Sequence, residues 1–142
     1  MSERSKKVEK PHAEWRVALP QERYAVHFHE ATEHPGTSAL LHEKGTGTYI
    51  CAACHQPLFH SEAKFESGTG WPSFTRPLPD SVETKKDFTL ILPRTEYHCA
   101  RCGGHQGHVF GDGPDPTGQR WCNNGLALEF VPEADPLPPL VE

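Results

Sequence analysis

Four of the five cysteines form two matched pairs, "CAAC" (Cys51, Cys54) and "CARC" (Cys99, Cys102). No other feature constrains the fold as strongly. Two residues between cysteines let a tight turn aim both thiolates at one tetrahedral cation about 2.3 Å away. Two such turns complete a four-sulfur structural zinc site and leave no open position for a substrate. Two redox dithiols or two disulfides are the alternative. A redox reading expects a helix behind each pair, and a reducing compartment disfavours a disulfide framework. Residues 55–98 separate the pairs, more than the roughly 15–20 residues of a compact zinc ribbon. The metal would therefore clamp two distant hairpins instead of folding a small finger.

What surrounds the pairs reads as strand and turn. "TYICA", "KFESG", "FTLILP", "TEYHCA", "HQGHVFGD", "RWCNN" and "LALEFVP" are short strand candidates separated by turn residues. No helix-length periodic segment follows residue 33, so the chain is predicted to be mainly β with an antiparallel core. Ahead of it, "EWRVALPQERYAVHFHEATE" predicts one or two short helices, with Pro20 at a first helical position. The 142 residues, with 14 prolines and 12 glycines, suit one loop-rich domain. Its expected limits are residues 14–132, between a flexible N-terminus (1–13) and a Pro-rich surface tail (133–142).

Charge and hydropathy exclude some partners. The net charge is −5 with scattered Lys and Arg, unlike the basic footprint of a nucleic-acid or anionic-membrane binder. No apolar run approaches the roughly 20 residues of a membrane span. The charged start "MSERSKKVEKPH" is unlike a signal peptide, so a cytoplasmic protein is expected.

Cys122 is left over. A free cysteine is often just a small buried hydrophobe. In a strand, however, Arg120 and Asn124 would share its face, and a neighbouring cation lowers a thiol's pKa. Upstream, His105 and His108 sit among glycines; they suit metal ligands, an acid/base pair or a solvated surface. With four sulfurs already on the metal, proton transfer is the better use. Asp112 would orient an imidazole or hold Arg120. "GPDPTG" would fold the His strand back onto the Cys strand. In "SGTGWPSF", Trp71 between Gly and Pro makes a good apolar wall for a pocket.

The stretches "KFESGTGWPSF", "CARCGGHQGHVFGDGPDPTG" and "RWCNNGLALEF" closely resemble the B-type methionine sulfoxide reductases, which reduce methionine-R-sulfoxide. The resemblance runs from about "EWRVALPQERYAV" to "LALEF". It implies two antiparallel β-sheets with short N-terminal helices, and one zinc on Cys51, Cys54, Cys99 and Cys102, away from the reaction centre. Cys122 would attack the sulfoxide sulfur. His105 and His108 would position or protonate the departing oxygen, and Asn124, Asp112 and Arg120 would tune and hold the group. Trp71 would pack against the substrate's methyl. The implied substrate is free methionine-R-sulfoxide or oxidised protein, the implied reductant thioredoxin or a small thiol, and the expected state a monomer. Many members carry a resolving cysteine where this chain has Thr69. Trp121, Asn123 and Gly125 also depart from the common residues, and Gly36 stands where many members have phenylalanine.

Two readings from other classes start from the same residues. A zinc-clamped binding module would leave Cys122 dispensable. A Cys-His-Asn thiol hydrolase would expect its nucleophile at a helix N-terminus.

Overall fold

A computed structural model describes residues 14–15, 18–29, 36, 38, 40–87 and 94–141. The expected flexible stretch 1–13 and the strand candidate "FTLILP" (88–93) lie outside these. Residues 14, 15 and 18 are helical, and among the described residues helix α1 (Gln21–His29) then precedes nine strands: β1 (Gly47–Cys51), β2 (Pro57–His60), β3 (Lys64–Phe65), β4 (Ser73–Phe74), β5 (Val82–Asp87), β6 (Arg94–Cys99), β7 (His105–Phe110), β8 (Arg120–Asn123) and β9 (Leu128–Pro132). They form a three-stranded sheet, β2-β1-β9, and a six-stranded sheet, β3-β4-β8-β7-β6-β5. Every pairing is antiparallel. The mainly β architecture expected from the sequence is the one observed.

The sheets meet over aromatic side chains. Tyr49 and Phe59 of the small sheet pack against Phe74 of the large one, with centroids at 5.1 and 4.1 Å. Tyr97 and Trp121 continue the layer edge-on at 5.0 Å. Tyr49, Phe59, Phe74 and Tyr97 have no measurable exposure, and truncating such a ring costs about 3–5 kcal/mol. Helix α1 contributes Tyr24 and Val26 to buried surface, and Trp15 stacks on Phe28 at 5.4 Å. The Pro20 carbonyl accepts from the Tyr24 N–H at 3.0 Å. Proline therefore caps the helix from one residue outside it, not from its first turn.

Three strands lacked a readable signal. β5 (VETKKD) is an edge strand whose exposed Lys85 and Lys86 guard against edge pairing and erase the apolar alternation. β2 begins at a proline, tolerated on this edge strand, and β4 is two residues long. After β9 the chain turns back over the first cysteine turn. There the Val141 N–H donates to the Cys54 carbonyl at 2.9 Å, and His55 Nδ1 meets the Pro139 carbonyl at 3.1 Å.

Candidate functional site: a sulfur cluster and a separate thiol

Strand β1 ends in the first cysteine turn and β6 in the second, and the two turns bring all four sulfurs within 4.8 Å of one another. Cys51–Cys102 and Cys54–Cys99 are separated by 3.7 and 3.6 Å. A tetrahedron with metal–sulfur bonds of about 2.3 Å has edges of about 3.8 Å, whereas a disulfide needs about 2.05 Å. The spacing fits a metal ion and excludes disulfides. Burial drives the Cys51 thiol well above its ordinary pKa, while hydrogen bonds from Cys102 and Cys51 hold Cys54 far below its own. Such crowded thiols cannot all ionise without a cation, and a divalent ion supplies the missing charge. The donor set therefore suits a metal.

Cys122 stands apart, on β8. Antiparallel pairing sets His108 of β7 and Ser73 of β4 directly opposite it. Gly107 makes the approach possible: a side-chain carbon there would collide with the Cys122 carbonyl. A cavity of about 290 Å³ opens over this spot, with Trp71, His108, Arg120, Cys122 and Asn124 in its wall. Arg120 and Cys122, two apart on β8, and Asn124, just past its end, share this wall, together with Asn123. Thr69 also lines the cavity, its Oγ1 4.0 Å from Cys122 Sγ. The hydroxyls of Thr69 and Ser73 each meet Ser67 Oγ at 2.8 Å.

Two anticipated residues are not on this wall. His105 is buried, with its ring 5.6 Å from that of His108. It belongs to a second cavity, beside His27, Glu96 and His98. Its Nδ1 lies 3.7 Å from Glu96 Oε2, and Lys85 Nζ holds the other oxygen at 3.0 Å. The strand is irregular here: Tyr97 pairs with Gly107 and His98 with His105, leaving Gln106 as an extra residue. Asp112 is exposed and reaches the site through Arg120, accepting from Nε at 2.9 Å and Nη2 at 3.2 Å. Of the two roles expected for Asp112, holding Arg120 is the one the structure contains.

The expected acidic thiol is not found. Burial pushes Cys122 above the ordinary thiol pKa, against opposing pulls from Thr69, Arg120 and Ser73. Partial burial costs the thiolate more than Thr69, Arg120 and Ser73 together return. Sequence reasoning also missed Phe110 and Arg94 in the wall. Period-two alternation from His108 would have found Phe110, over which the Arg120 guanidinium sits at 4.3 Å. Arg94 opens its strand and carries no local signal. The nucleophile candidate lies inside a strand, not at a helix N-terminus, which removes the main support for a thiol hydrolase.

Fold and site together define a mainly β protein with a four-sulfur cluster spaced to hold a metal ion and one separate thiol facing a cavity. The SelR domain family matches residues 19–132. Curated relatives named peptide methionine sulfoxide reductase MsrB align along most of the chain. The one from Methanosarcina mazei is 48% identical over 130 residues, covering 91% of this chain and 93% of the relative. That from Bradyrhizobium diazoefficiens is 48% identical over 128 residues, 89% and 92% of the two chains. That from Agrobacterium fabrum is 47% identical over 129 residues, 90% and 96% of the two chains. The chain belongs to the B-type methionine sulfoxide reductase family.

Proposed function

We propose that residues 14–132 form a reductase domain that converts methionine-R-sulfoxide, free or in proteins, to methionine. The observation that carries this reading is the cavity in which Cys122 faces His108 across two paired strands, with Trp71 in the same wall. Cys122 sulfur attacks the sulfoxide sulfur to form an S–S bond, the oxygen leaves as hydroxide on gaining a proton, and that hydroxide then attacks Cys122 sulfur, breaking the S–S bond and releasing methionine. The oxygen ends on Cys122 as sulfenic acid, carrying the proton the thiol brought. A thiol held above its usual pKa by burial retains that proton for transfer as the oxygen gains charge. His108 and Asn124 are within reach to bind the oxygen, and Trp71 takes the methyl group. Arg120, held by Asp112, biases Cys122 towards its charged form. His105 positions His108 from behind.

Zinc on Cys51, Cys54, Cys99 and Cys102 would be structural, fixing the two hairpins that carry the site. With Thr69 where a resolving cysteine would stand and the other four thiols committed to metal, recycling needs two equivalents of external thiol. The first forms a mixed disulfide and water; the second releases Cys122. Thioredoxin or a small cytoplasmic thiol fits this need, and one chain suffices for the site. Among the described residues no helix is long and apolar enough to cross a membrane.

The test is an assay of purified protein with each sulfoxide epimer and dithiothreitol. The R epimer should be consumed and the S epimer spared, because only one configuration puts methyl on Trp71 and oxygen near His108 together. Equal turnover of both epimers would refute the assignment. Without reductant, one methionine per chain should form, and a sulfenic acid on Cys122 should be trapped.

A further inference from the structure

Each cysteine pair is followed by a glutamine: Gln56 after Cys54 and Gln106 after Cys102. Both are buried, 8% and 0% exposed, and a buried amide persists only where its polar atoms are satisfied. Their amides cross between the two turns. Gln56, next to the first turn, donates from Nε2 to Cys99 Sγ of the second at 3.7 Å. Gln106, beyond the second turn, donates from Nε2 to Cys51 Sγ of the first at 3.6 Å. The two remaining sulfurs receive backbone N–H groups, Cys102 from Gly104 at 3.3 Å and Cys54 from Gln56. Every sulfur of the cluster thus accepts one N–H.

The orientation of both amides is fixed by their other bonds. Gln56 Nε2 also donates to the Ser81 carbonyl at 3.0 Å, a partner that demands a donor. Gln106 Oε1 accepts from Asn123 Nδ2 at 3.1 Å, which leaves only Nε2 to face sulfur. Asn123 is itself held by the Tyr97 hydroxyl, which donates to its Oδ1 at 2.6 Å. A flipped glutamine would break these contacts.

We propose that Gln56 and Gln106 are positioning residues of the metal centre, each holding a thiolate of the opposite turn so that the bound ion is retained. Four thiolates around a divalent cation leave a net charge of −2 in a buried place. Such charge is costly unless hydrogen-bonded, and N–H donors aimed at the sulfurs spread it. Cross-donation also ties the turns together before metal arrives. Loss of partners that orient metal ligands lowers metal affinity by about 10–100-fold.

The test compares metal-loaded full-length wild type with Gln56→Met and Gln106→Met, which keep length and remove the donor. Zinc release to excess chromophoric chelator should accelerate about tenfold or more in each. With cobalt in place of zinc, the thiolate-to-metal charge-transfer band should move to longer wavelength, because a sulfur without its N–H donor gives up an electron more easily. A loss of packing alone would not shift this band. A triple variant, Tyr97→Phe with Gln106→Met and Asn123→Leu, removes the polar partners that Gln106→Met would orphan. It should fold and still show fast release. Wild-type release rates and an unmoved cobalt band in Gln56→Met and the triple variant, each folded and holding one metal, would overturn the proposal. The inference rests on a metal in the four-sulfur cluster. Wild-type protein that takes up none would overturn that reading by itself, before any variant is compared.

Discussion

The molecule places sulfur in two different surroundings. At the cluster, four buried cysteines sit 3.6–3.7 Å from a neighbouring sulfur, each with an N–H aimed at it. At the cavity, Cys122 is half-buried, with a hydroxyl, two arginines and an imidazole in the same wall and, among the described residues, no second sulfur there. The chemical group is the same. Its use is set by what surrounds it: crowded, saturated thiolates suit a cation and resist reaction, whereas a lone thiol beside empty space can meet a substrate.

Substituting one sulfur in each region should separate the two uses cleanly. Cys122→Ser should lower activity by roughly 10⁴-fold or more, since nucleophile removal takes away the covalent route. Its folding stability should stay within about 1 kcal/mol of wild type. Cys99→Ser should do the reverse in kind. It should lose metal and several kcal/mol of stability, because metal binding free energy is part of the folding free energy. Turnover, metal content and denaturant unfolding of both variants check the pair. If Cys99→Ser kept full stability without metal, the cluster would not be a structural clamp.

The comparison extends to the two histidines. His108 lines the cavity while His105 is turned towards Glu96 and His27. Removing His108 by alanine should cost about 10²–10⁴-fold in kcat/KM, the range for a positioned proton-transfer group. His105→Ala should cost about an order of magnitude less, with KM little changed, since it acts through His108. Equal losses would place both imidazoles in contact with substrate.

That pair also marks how far the sequence reaches. Spacing alone gave the sulfur cluster, because ligand geometry is local to each C-x-x-C turn and chemistry supplies the rest. Alternation gave Arg120 and Cys122 on one face, because they stand two apart on β8. For His105 the sequence left open which cavity it would line, since nothing nearby announces the extra residue Gln106 in β7. Strand β5 was invisible for a different reason: it is an edge whose residues face water, so its place depends on β6 and not on its own pattern. Gln56 and Gln106 looked like ordinary polar residues, since their partners are the cysteines of the opposite turn.

The smallest expected effect concerns the charge next to Cys122. Burial raises this thiol's pKa, and Thr69, Arg120 and Ser73 pull it down. A raised value in the folded state means the fold favours the protonated thiol. Stability from this group is complete below the unfolded thiol pKa and is lost as pH rises through the folded value. Alkylation of Cys122 by iodoacetamide should therefore titrate above the range of an ordinary thiol. Arg120→Met removes the cation and should move the midpoint further up. Asp112→Asn should have the lesser effect, because the guanidinium stays charged and keeps its seat over Phe110 at 4.3 Å. It loses only the carboxylate that accepts from Nε and Nη2. An alkylation midpoint unmoved by Arg120→Met would mean that Arg120 braces the turn between β7 and β8 and has no electrostatic part in the reaction. A midpoint below the ordinary range in wild type would mean that the pull of Arg120 and the hydroxyls outweighs burial, and that the thiol meets its substrate already charged.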